Sequence, residues 1–329
     1  MAAVGVQHQA LHIPPDDAVI TFRTVKSGIS GRLVRLGAVA DAILSRHANP
    51  APVSAELGEA LSLAALLGPA LPDGGRMTLQ ARTDGAVTCL VADCDTPGRL
   101  RGYARFDKEK LAETAPNGAA ANPPRLLGQG HLAITIEAGA TSQRYQGVVA
   151  LDGGPLSEAA KTYFENSEAL PTFVRLAVVR HFQAGQPGAA TPWHWRAGGL
   201  LLQHISGAAS APGAPEAGPR GADDENWVRV RTLAETIEDH ELLDPVLTAE
   251  QLLLRLFHEE GVIVLDVQPL AAFCRCSRDR VFNVLKSFGA AELGGMQDDK
   301  GRITATCEFC ATLYDFEPFE FSGAFIGPS

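Results

Sequence analysis

The chain has 329 residues and a mass of 34.7 kDa, two to three times the usual size of one domain, so we expect more than one hydrophobic core. Hydrophobic residues make up 46% of it and charged residues 20%, a balance that excludes a wholly disordered chain. The 38 acidic residues outnumber the 28 lysines and arginines, and the formal charge of −10 argues against a surface built to bind nucleic acid or anionic lipid.

The first half of the sequence predicts groups of strands and helices. Residues 17–37 have the alternating pattern of a β-hairpin, and two helical segments follow it. Three more strands are predicted over residues 76–106, where strong turn signals join them. Two further strands and a helix over residues 155–167 come next. Segregated strands and helices are typical of an α+β fold, and we expect the N-terminal domain to span residues 1–182.

The middle of the chain changes composition twice. In residues 207–222, 13 of the 16 positions are Gly, Ala or Pro, which predicts a flexible linker or loop. Residues 223–260 carry eleven acidic residues and three arginines, and their periodic apolar residues predict two helices broken near Asp244-Pro245. We therefore predict a largely helical, acidic middle segment over residues 183–261. Its acidic face is either a partner surface or a solvated face of helices packed on the first domain.

The cellular location is predicted from what the sequence lacks. The first fifteen residues have no signal-peptide pattern, and no stretch approaches the roughly 18 apolar residues of a membrane helix. We expect a cytoplasmic protein with no membrane partner. In that reducing compartment the six cysteines are not expected to form permanent disulfides. Cys89 and Cys94 fall in or just after a predicted strand and are expected to be packed thiols.

The other four cysteines form two close pairs near the end of the chain. The pairs are Cys274 and Cys276 in a C-x-C motif, and Cys307 and Cys310 in a C-x-x-C motif, with 30 residues between them. Thiolates are soft, compact ligands, and two such pairs supply the four tetrahedral ligands of a structural zinc site. Two other interpretations stay open: four unrelated packed thiols, and a redox-active dithiol without metal.

A zinc site here would stabilise a very small domain. The segment from residue 262 to residue 329 is near the lower limit for folding by hydrophobic burial alone, whereas structural zinc contributes about 10 to 16 kcal/mol. Four sulfur ligands leave no open position for an activated water, which disfavours a zinc hydrolase. Oxidation of the sulfurs would remove the ligands and release the metal, and loss of zinc should unfold the domain. The sequence therefore predicts a C-terminal zinc-binding redox switch.

Five segments carry a resemblance to a known family. They are Cys-Arg-Cys-Ser-Arg-Asp-Arg (274–280), Cys-Glu-Phe-Cys (307–310), Leu-Phe-His-Glu-Glu (256–260), Gly-Gly-Leu-Leu-Leu-Gln (198–203) and Leu-Arg-Gly-Tyr-Ala-Arg (100–105). Together they resemble the bacterial redox-regulated heat-shock holdases of the thirty-three-kilodalton class. The resemblance extends from Gly31-Arg32 to the C-terminus, although the segments 115–124 and 207–222 look longer than the family usually carries.

The resemblance implies a non-enzymatic, ATP-independent chaperone that binds unfolded client proteins under oxidative and heat stress. It implies that Cys274, Cys276, Cys307 and Cys310 bind Zn²⁺ in the reduced, inactive protein. On oxidation it implies disulfides between Cys274 and Cys276 and between Cys307 and Cys310, release of zinc, unfolding of the zinc module and middle segment, and dimerisation. The chain has no G-x-x-x-x-G-K-[ST] motif, which agrees with action without ATP.

Two other functions compete with this interpretation. A zinc-ribbon protein that binds nucleic acid would use the same four cysteines, but the acidity of the chain argues against it, and we expect no nucleic-acid partner. A thiol oxidoreductase would use Cys307 and Cys310, but the sequence around them lacks a thioredoxin-like βαβ pattern.

Overall fold

A computed structural model describes residues 14, 16–114, 126–139, 143–182, 193–205 and 224–321. The chain divides into two compact units, Met1–Ala272 and Phe273–Ser329. Both contain strands and helices, which confirms the predicted α+β class. No helix in the described parts of the chain is long and apolar enough to cross a membrane.

The described residues contain thirteen strands and nine α-helices. The strands are β1 (Ala18–Thr24), β2 (Ser30–Leu36), β3 (Arg76–Thr83), β4 (Val87–Asp95), β5 (Arg99–Phe106), β6 (Gln129–Ala138), β7 (Gln143–Asp152), β8 (Thr172–Phe182), β9 (Trp193–Gln203), β10 (Val262–Pro269), β11 (Ala271–Ala272), β12 (Ile303–Thr306) and β13 (Leu313–Phe316). The helices are α1 (Ala38–Leu44), α2 (Ala51–Leu67), α3 (Lys108–Thr114), α4 (Leu156–Ser167), α5 (Glu225–Glu235), α6 (Asp239–Leu243), α7 (Ala249–Phe257), α8 (Arg278–Leu285) and α9 (Ala290–Gly295).

The first sheet has five antiparallel strands in the order β10-β1-β2-β9-β8. Its centre is the predicted hairpin β1–β2, in which Thr21 lies opposite Arg32. Gly31 faces the buried ring of Phe22, and a Cβ atom at position 31 would lie 2.2 Å from Phe22 Cζ. The absence of a side chain at Gly31 therefore allows the Phe22 ring to fill this part of the core.

The second sheet has six strands in the order β11-β5-β4-β3-β6-β7. The predicted meander of residues 76–106 is confirmed as β3, β4 and β5, all paired antiparallel. The short strand β11 pairs in parallel with β5 and forms one edge of the second sheet. Helix α2 contacts strands of both sheets, and its apolar side chains share one hydrophobic cluster with residues of both. The core of the first unit therefore forms around α2.

Helices α5, α6 and α7 cover one face of the first sheet. Apolar side chains of the three helices, among them Trp227, Leu252 and Phe257, share a second buried cluster with Leu33 and Leu200 of the sheet. The sequence predicted two helices here, and the structure corrects this number to three. The predicted break near Asp244-Pro245 separates α6 from α7. A second break precedes α6, and Glu238 caps the N-terminus of this helix in a reciprocal capping box.

The strands β9 and β10 tie later parts of the chain to the first sheet. β9 lies within the predicted middle segment 183–261, yet it pairs with both β2 and β8. β10 lies at the start of the predicted C-terminal module 262–329, yet it pairs with β1 along its whole length. The second compact unit accordingly begins at Phe273. The Gly/Ala/Pro-rich segment 207–222 lies outside the described residues.

Candidate metal centre

The second unit is small and has a small core. Its elements are α8, α9 and the antiparallel hairpin β12–β13, in which Thr306 lies opposite Leu313. The buried apolar side chains described in it are Leu285, Leu293, Ile303, Phe316 and Phe321. Burying one such side chain contributes about 1.5 to 3 kcal/mol, while ordering each residue costs about 1 to 2 kcal/mol of backbone entropy. The unit therefore needs an additional source of stability.

All four predicted cysteines lie in turns or irregular segments next to short elements. Cys276 immediately precedes Ser277, whose hydroxyl accepts a hydrogen bond from the Arg280 backbone N–H at 3.2 Å and caps α8. Cys307 directly follows β12, and Cys310 lies in the turn between β12 and β13. The Cys307 N–H donates to the Thr312 carbonyl at 2.9 Å, which holds this turn closed.

The structure brings the four sulfur atoms together. They lie within 4.8 Å of one another, and all four residues are half-buried. Cys274 Sγ is 3.8 Å from Cys307 Sγ, and Cys276 Sγ is 3.2 Å from Cys310 Sγ. Sulfurs at about 2.3 Å around a tetrahedral zinc ion are about 3.8 Å apart. The cluster therefore has the donor set and the size of a metal centre.

Two polar side chains support the sulfurs and were missed by sequence reasoning. The hydroxyl of Tyr314, on β13, donates a hydrogen bond to Cys276 Sγ at 3.1 Å. Thr312 Oγ1 lies 3.1 Å from Cys310 Sγ. Partners of this kind orient metal ligands and stabilise their charged form. The position of Thr312, two residues after Cys310, was a local signal for its contact, whereas the Tyr314 contact depends on folding of the hairpin.

The thiols of the cluster have strongly different acidities. Burial raises the pKa of the Cys310 thiol, but hydrogen bonds with Thr312 and with neighbouring sulfurs outweigh burial and lower it to about 6. Burial and hydrogen bonds to the other three sulfurs raise the pKa of the Cys276 thiol to about 12, against the lowering effect of Tyr314. Burial also raises the pKa of the Cys307 thiol. Four adjacent thiolates repel one another, so their joint ionisation requires a cation.

Arginines near the cysteines in sequence have other partners in the structure. Arg278 forms an ion pair with Glu320 at 2.8 Å and lies over the Phe316 ring. Arg302 forms an ion pair with Asp315 at 2.7 Å. The contacts of Arg278 join α8 to β13 and to the residues that follow it, and the Arg302 pair joins the start of the β12–β13 hairpin to β13.

The remaining cysteines lie far from this cluster in the sequence and in another unit. Cys89 and Cys94 are both buried on β4, as predicted for packed thiols. Burial, followed by the nearby carboxylates of Asp95 and Asp93, raises the pKa of the Cys94 thiol to about 12. A thiol with such a pKa is almost entirely protonated at neutral pH and reacts slowly with oxidants.

Comparison with known proteins identifies the family. The family model described as Hsp33 protein matches residues 17–317. The chain belongs to the Hsp33 family. Among curated Hsp33 relatives, the 33 kDa chaperonin of Caulobacter vibrioides is 43% identical over 303 residues, covering 92% of this chain and 95% of the relative. The 33 kDa chaperonin of Pseudomonas aeruginosa (strain UCBPP-PA14) is 36% identical over 300 residues, covering 91% of each.

A solved Hsp33 structure shares the fold. The crystal structure of the 33 kDa chaperonin of Thermotoga maritima matches with a TM-score of 0.71 at 22% identity, covering 94% of this chain and 97% of that one. The predicted resemblance to the thirty-three-kilodalton family is therefore confirmed, and with it membership of a chaperone family. The cysteine cluster is compatible with the metal binding and redox sensing that the sequence predicted.

Proposed function

We propose that this chain is an ATP-independent, redox-regulated holdase that acts in the cytoplasm, binds unfolding client proteins and performs no catalysis. The observation that carries the proposal is the cluster of four sulfurs within 4.8 Å in a unit whose apolar core is small. Family membership supports the chaperone class.

In the reduced state, Cys274, Cys276, Cys307 and Cys310 would hold Zn²⁺. The donor set fits, because four thiolates are the ligands that structural zinc takes, and their mutual repulsion calls for a cation. Bound zinc supplies charge neutralisation and a cross-link between α8 and the β12–β13 hairpin. The reduced sulfurs would then be fixed in position, and the second unit would stay folded.

Oxidation would act on the sulfurs themselves. Two thiolates transfer two electrons to one molecule of hydrogen peroxide, which with two protons becomes two molecules of water, and one S–S bond forms. The family pattern supports pairing of Cys274 with Cys276 and of Cys307 with Cys310. Every sulfur of the cluster lies within reach of the others. A disulfide sulfur is a poor metal ligand, so two such bonds remove the stabilising cross-link.

We propose that the helical part of segment 183–261 responds to this loss. Helices α5 to α7 cover apolar side chains of the first sheet, among them Ile20, Leu33 and Leu200. If unfolding of the zinc module over residues 262–329 releases these helices, both their apolar faces and the sheet become available to unfolded clients. The same exposed surfaces would drive dimerisation of the oxidised chain.

The test is a zinc and thiol count combined with an aggregation assay. We expect the reduced protein to bind one zinc ion and to present six thiols. Peroxide at raised temperature should remove four thiols, release the zinc and switch on suppression of client aggregation. Cys276→Ser should lose zinc binding, whereas the control Cys89→Ser should behave as wild type.

Two outcomes would contradict the proposal. One is equal suppression of aggregation before and after oxidation. The other is a protein that, prepared under reductant, contains no metal and still has an ordered second unit by amide hydrogen exchange.

A further inference from the structure

A cavity of about 390 Å³ lies within the first unit, where β2 and β9 of one sheet approach β3, β6 and β7 of the other. Most of its wall is apolar and comes from Leu67, Leu71, Met77, Ile134, Ile136 and Phe164. A volume of this size is within the range of small-molecule sites, which combine apolar walls with a few polar groups.

Arg32 of β2 provides a charged group on the wall. Its Nη1 donates a hydrogen bond to the Leu66 carbonyl, at the C-terminal end of α2, at 3.1 Å. None of the ion pairs among the described residues includes Arg32. Burial lowers the pKa of this guanidinium, and no carboxylate counteracts the effect. The cavity wall thus contains a cation whose remaining N–H groups have no acidic partner.

Gln203 of β9 provides a second polar group beside Arg32. In the β2–β9 register, Arg32 lies opposite Leu201, so Gln203 is its diagonal neighbour on the same face of the sheet. Gln203 is 6% exposed as a residue and lines the cavity, and its side chain has no hydrogen bond to another residue in the described part of the chain. The Gln203 amide can therefore exchange hydrogen bonds with a ligand in the cavity.

Part of the wall faces solvent. Glu168 and Tyr145 line the cavity and are exposed, and the Tyr145 hydroxyl donates to Glu168 Oε1 at 3.3 Å. Ala70, which also lines the cavity, is exposed as well. The cavity is therefore accessible from solvent beside these residues, and the Glu168 carboxylate disfavours a second negative charge there.

We propose that this cavity binds one aliphatic carboxylate, whose carboxylate group accepts hydrogen bonds from Arg32 and Gln203 and whose alkyl chain packs on the apolar wall. A guanidinium matches a carboxylate in both charge and geometry. The alkyl chain gains by leaving water in proportion to the apolar area that it buries. One such ligand therefore pairs with the Arg32 charge, forms a hydrogen bond with the Gln203 amide and covers the apolar wall.

The probe is decanoate, titrated calorimetrically into the reduced full-length protein below its micelle concentration. Decanol, with the same chain length and no charge, measures the apolar contribution alone. Arg32→Gln removes the charge, and Arg46→Gln, at an exposed arginine, is the matched control. Ala70→Trp fills the open side of the cavity and leaves the Arg32 hydrogen bond intact, so it tests the site even if Arg32→Gln folds poorly.

We expect saturable binding of one decanoate per chain, at least tenfold weaker binding of decanol, and at least a tenfold loss of decanoate affinity in Arg32→Gln and Ala70→Trp. Arg46→Gln should bind as wild type. Absence of saturable decanoate binding would overturn the proposal, as would equal affinity in wild type and Ala70→Trp. Tighter binding of a short apolar peptide with a free C-terminal carboxylate than of decanoate would assign the site to polypeptide and also overturn it.

Discussion

The Nε atom of Arg196, on β9, donates a hydrogen bond to the carbonyl oxygen of Leu243, the last residue of α6, at 2.8 Å. The same guanidinium pairs with Asp16 at 2.6 Å and is almost fully buried. Nearby, Arg35 of β2 donates to the carbonyl of Glu241 at 3.0 Å. Two buried arginines of the sheet thus bind the C-terminal end of α6, so the helical segment is held by directional bonds as well as by apolar contacts.

Arg196→Met should weaken the attachment of the helices to the sheet. The substitution leaves the Asp16 carboxylate without its partner and the Leu243 carbonyl without its donor, which should cost about 3 kcal/mol. Amide hydrogen exchange in α6 and α7 measures the effect. The control is Arg231→Gln, which removes an exposed i,i+4 pair with Glu235 and should cost less than 1 kcal/mol. Equal protection in both variants would contradict a role for Arg196 in this attachment.

Phe316→Ala should activate the chaperone without an oxidant. Phe316 is 1% exposed and packs against the rings of Phe282 and Phe321, with centroids 5.9 and 5.8 Å away. Loss of a buried phenylalanine costs about 3 to 5 kcal/mol, a large part of the stability of so small a unit. Metal binding is linked to folding, so zinc affinity should fall as well. Aggregation suppression by the reduced variant measures activation, and Phe319→Ala, at an exposed ring, is the control.

The stability of the first unit should decrease as the pH rises from about 5 to about 8. Burial, then the charges of Glu56 and Asp239, raises the pKa of Glu59 on α2 from 4.5 to about 8, against the lowering effect of Arg175. Between these two values the folded state binds more protons than the unfolded state, so the free energy of unfolding falls with increasing pH. Above the folded-state pKa of Glu59, its ionisation no longer lowers the free energy of unfolding.

Urea unfolding at pH 5.5 and 8.5 tests this dependence. Glu59→Gln cannot ionise and should show a smaller fall in unfolding free energy than wild type. The control Glu165→Gln, at an exposed position of α4, should keep the wild-type fall. If the fall in Glu59→Gln equals that of wild type, Glu59 does not titrate as the geometry indicates.

Substitutions at two glycines of the β1–β2 hairpin should be destabilising for different reasons. Gly31→Ala places a Cβ atom against the Phe22 ring, an overpacking that costs about 1 to 3 kcal/mol. Gly28 has a φ of +70° and open space around it, so Gly28→Ala should cost about 1 kcal/mol through backbone strain alone. Denaturant midpoints measure both. Adding Phe22→Leu should relieve Gly31→Ala and not Gly28→Ala; relief of neither would exclude the contact with Phe22 as the cause.

Local patterns predicted the elements that local chemistry determines. The alternating residues of β1 and β2 and the turn between them were sufficient for the hairpin, and Pro50 and Gly68 mark the ends of α2. The cysteine spacing was sufficient to name the four sulfurs that cluster. The patterns of the hairpin and of α2 each involve residues close together in the sequence, and the cysteine pattern depends on the strong preference of thiolates for metal binding.

Long-range pairings could not be predicted in the same way. The pairing of β1 with β10 joins residues such as Ile20 and Val267, and no periodicity in either strand specifies that partner. The contact between Tyr314 and Cys276 and the cavity beside Arg32 likewise arise only when distant elements pack. The strand at residues 262–269 lies in the segment predicted as the zinc module, yet its partner is β1, near the other end of the chain.

The two short sulfur–sulfur distances join cysteines from opposite halves of the cluster, 33 and 34 residues apart in the sequence. A covalent bond between Cys276 and Cys310 would staple the start of α8 to the β12–β13 turn and lock the unit in its folded shape. Disulfides between Cys274 and Cys276 and between Cys307 and Cys310 would not connect α8 to the hairpin, so they would not stabilise the folded unit in this way. Release of the second unit therefore depends on bonds forming within the sequence-adjacent pairs and not across the cluster.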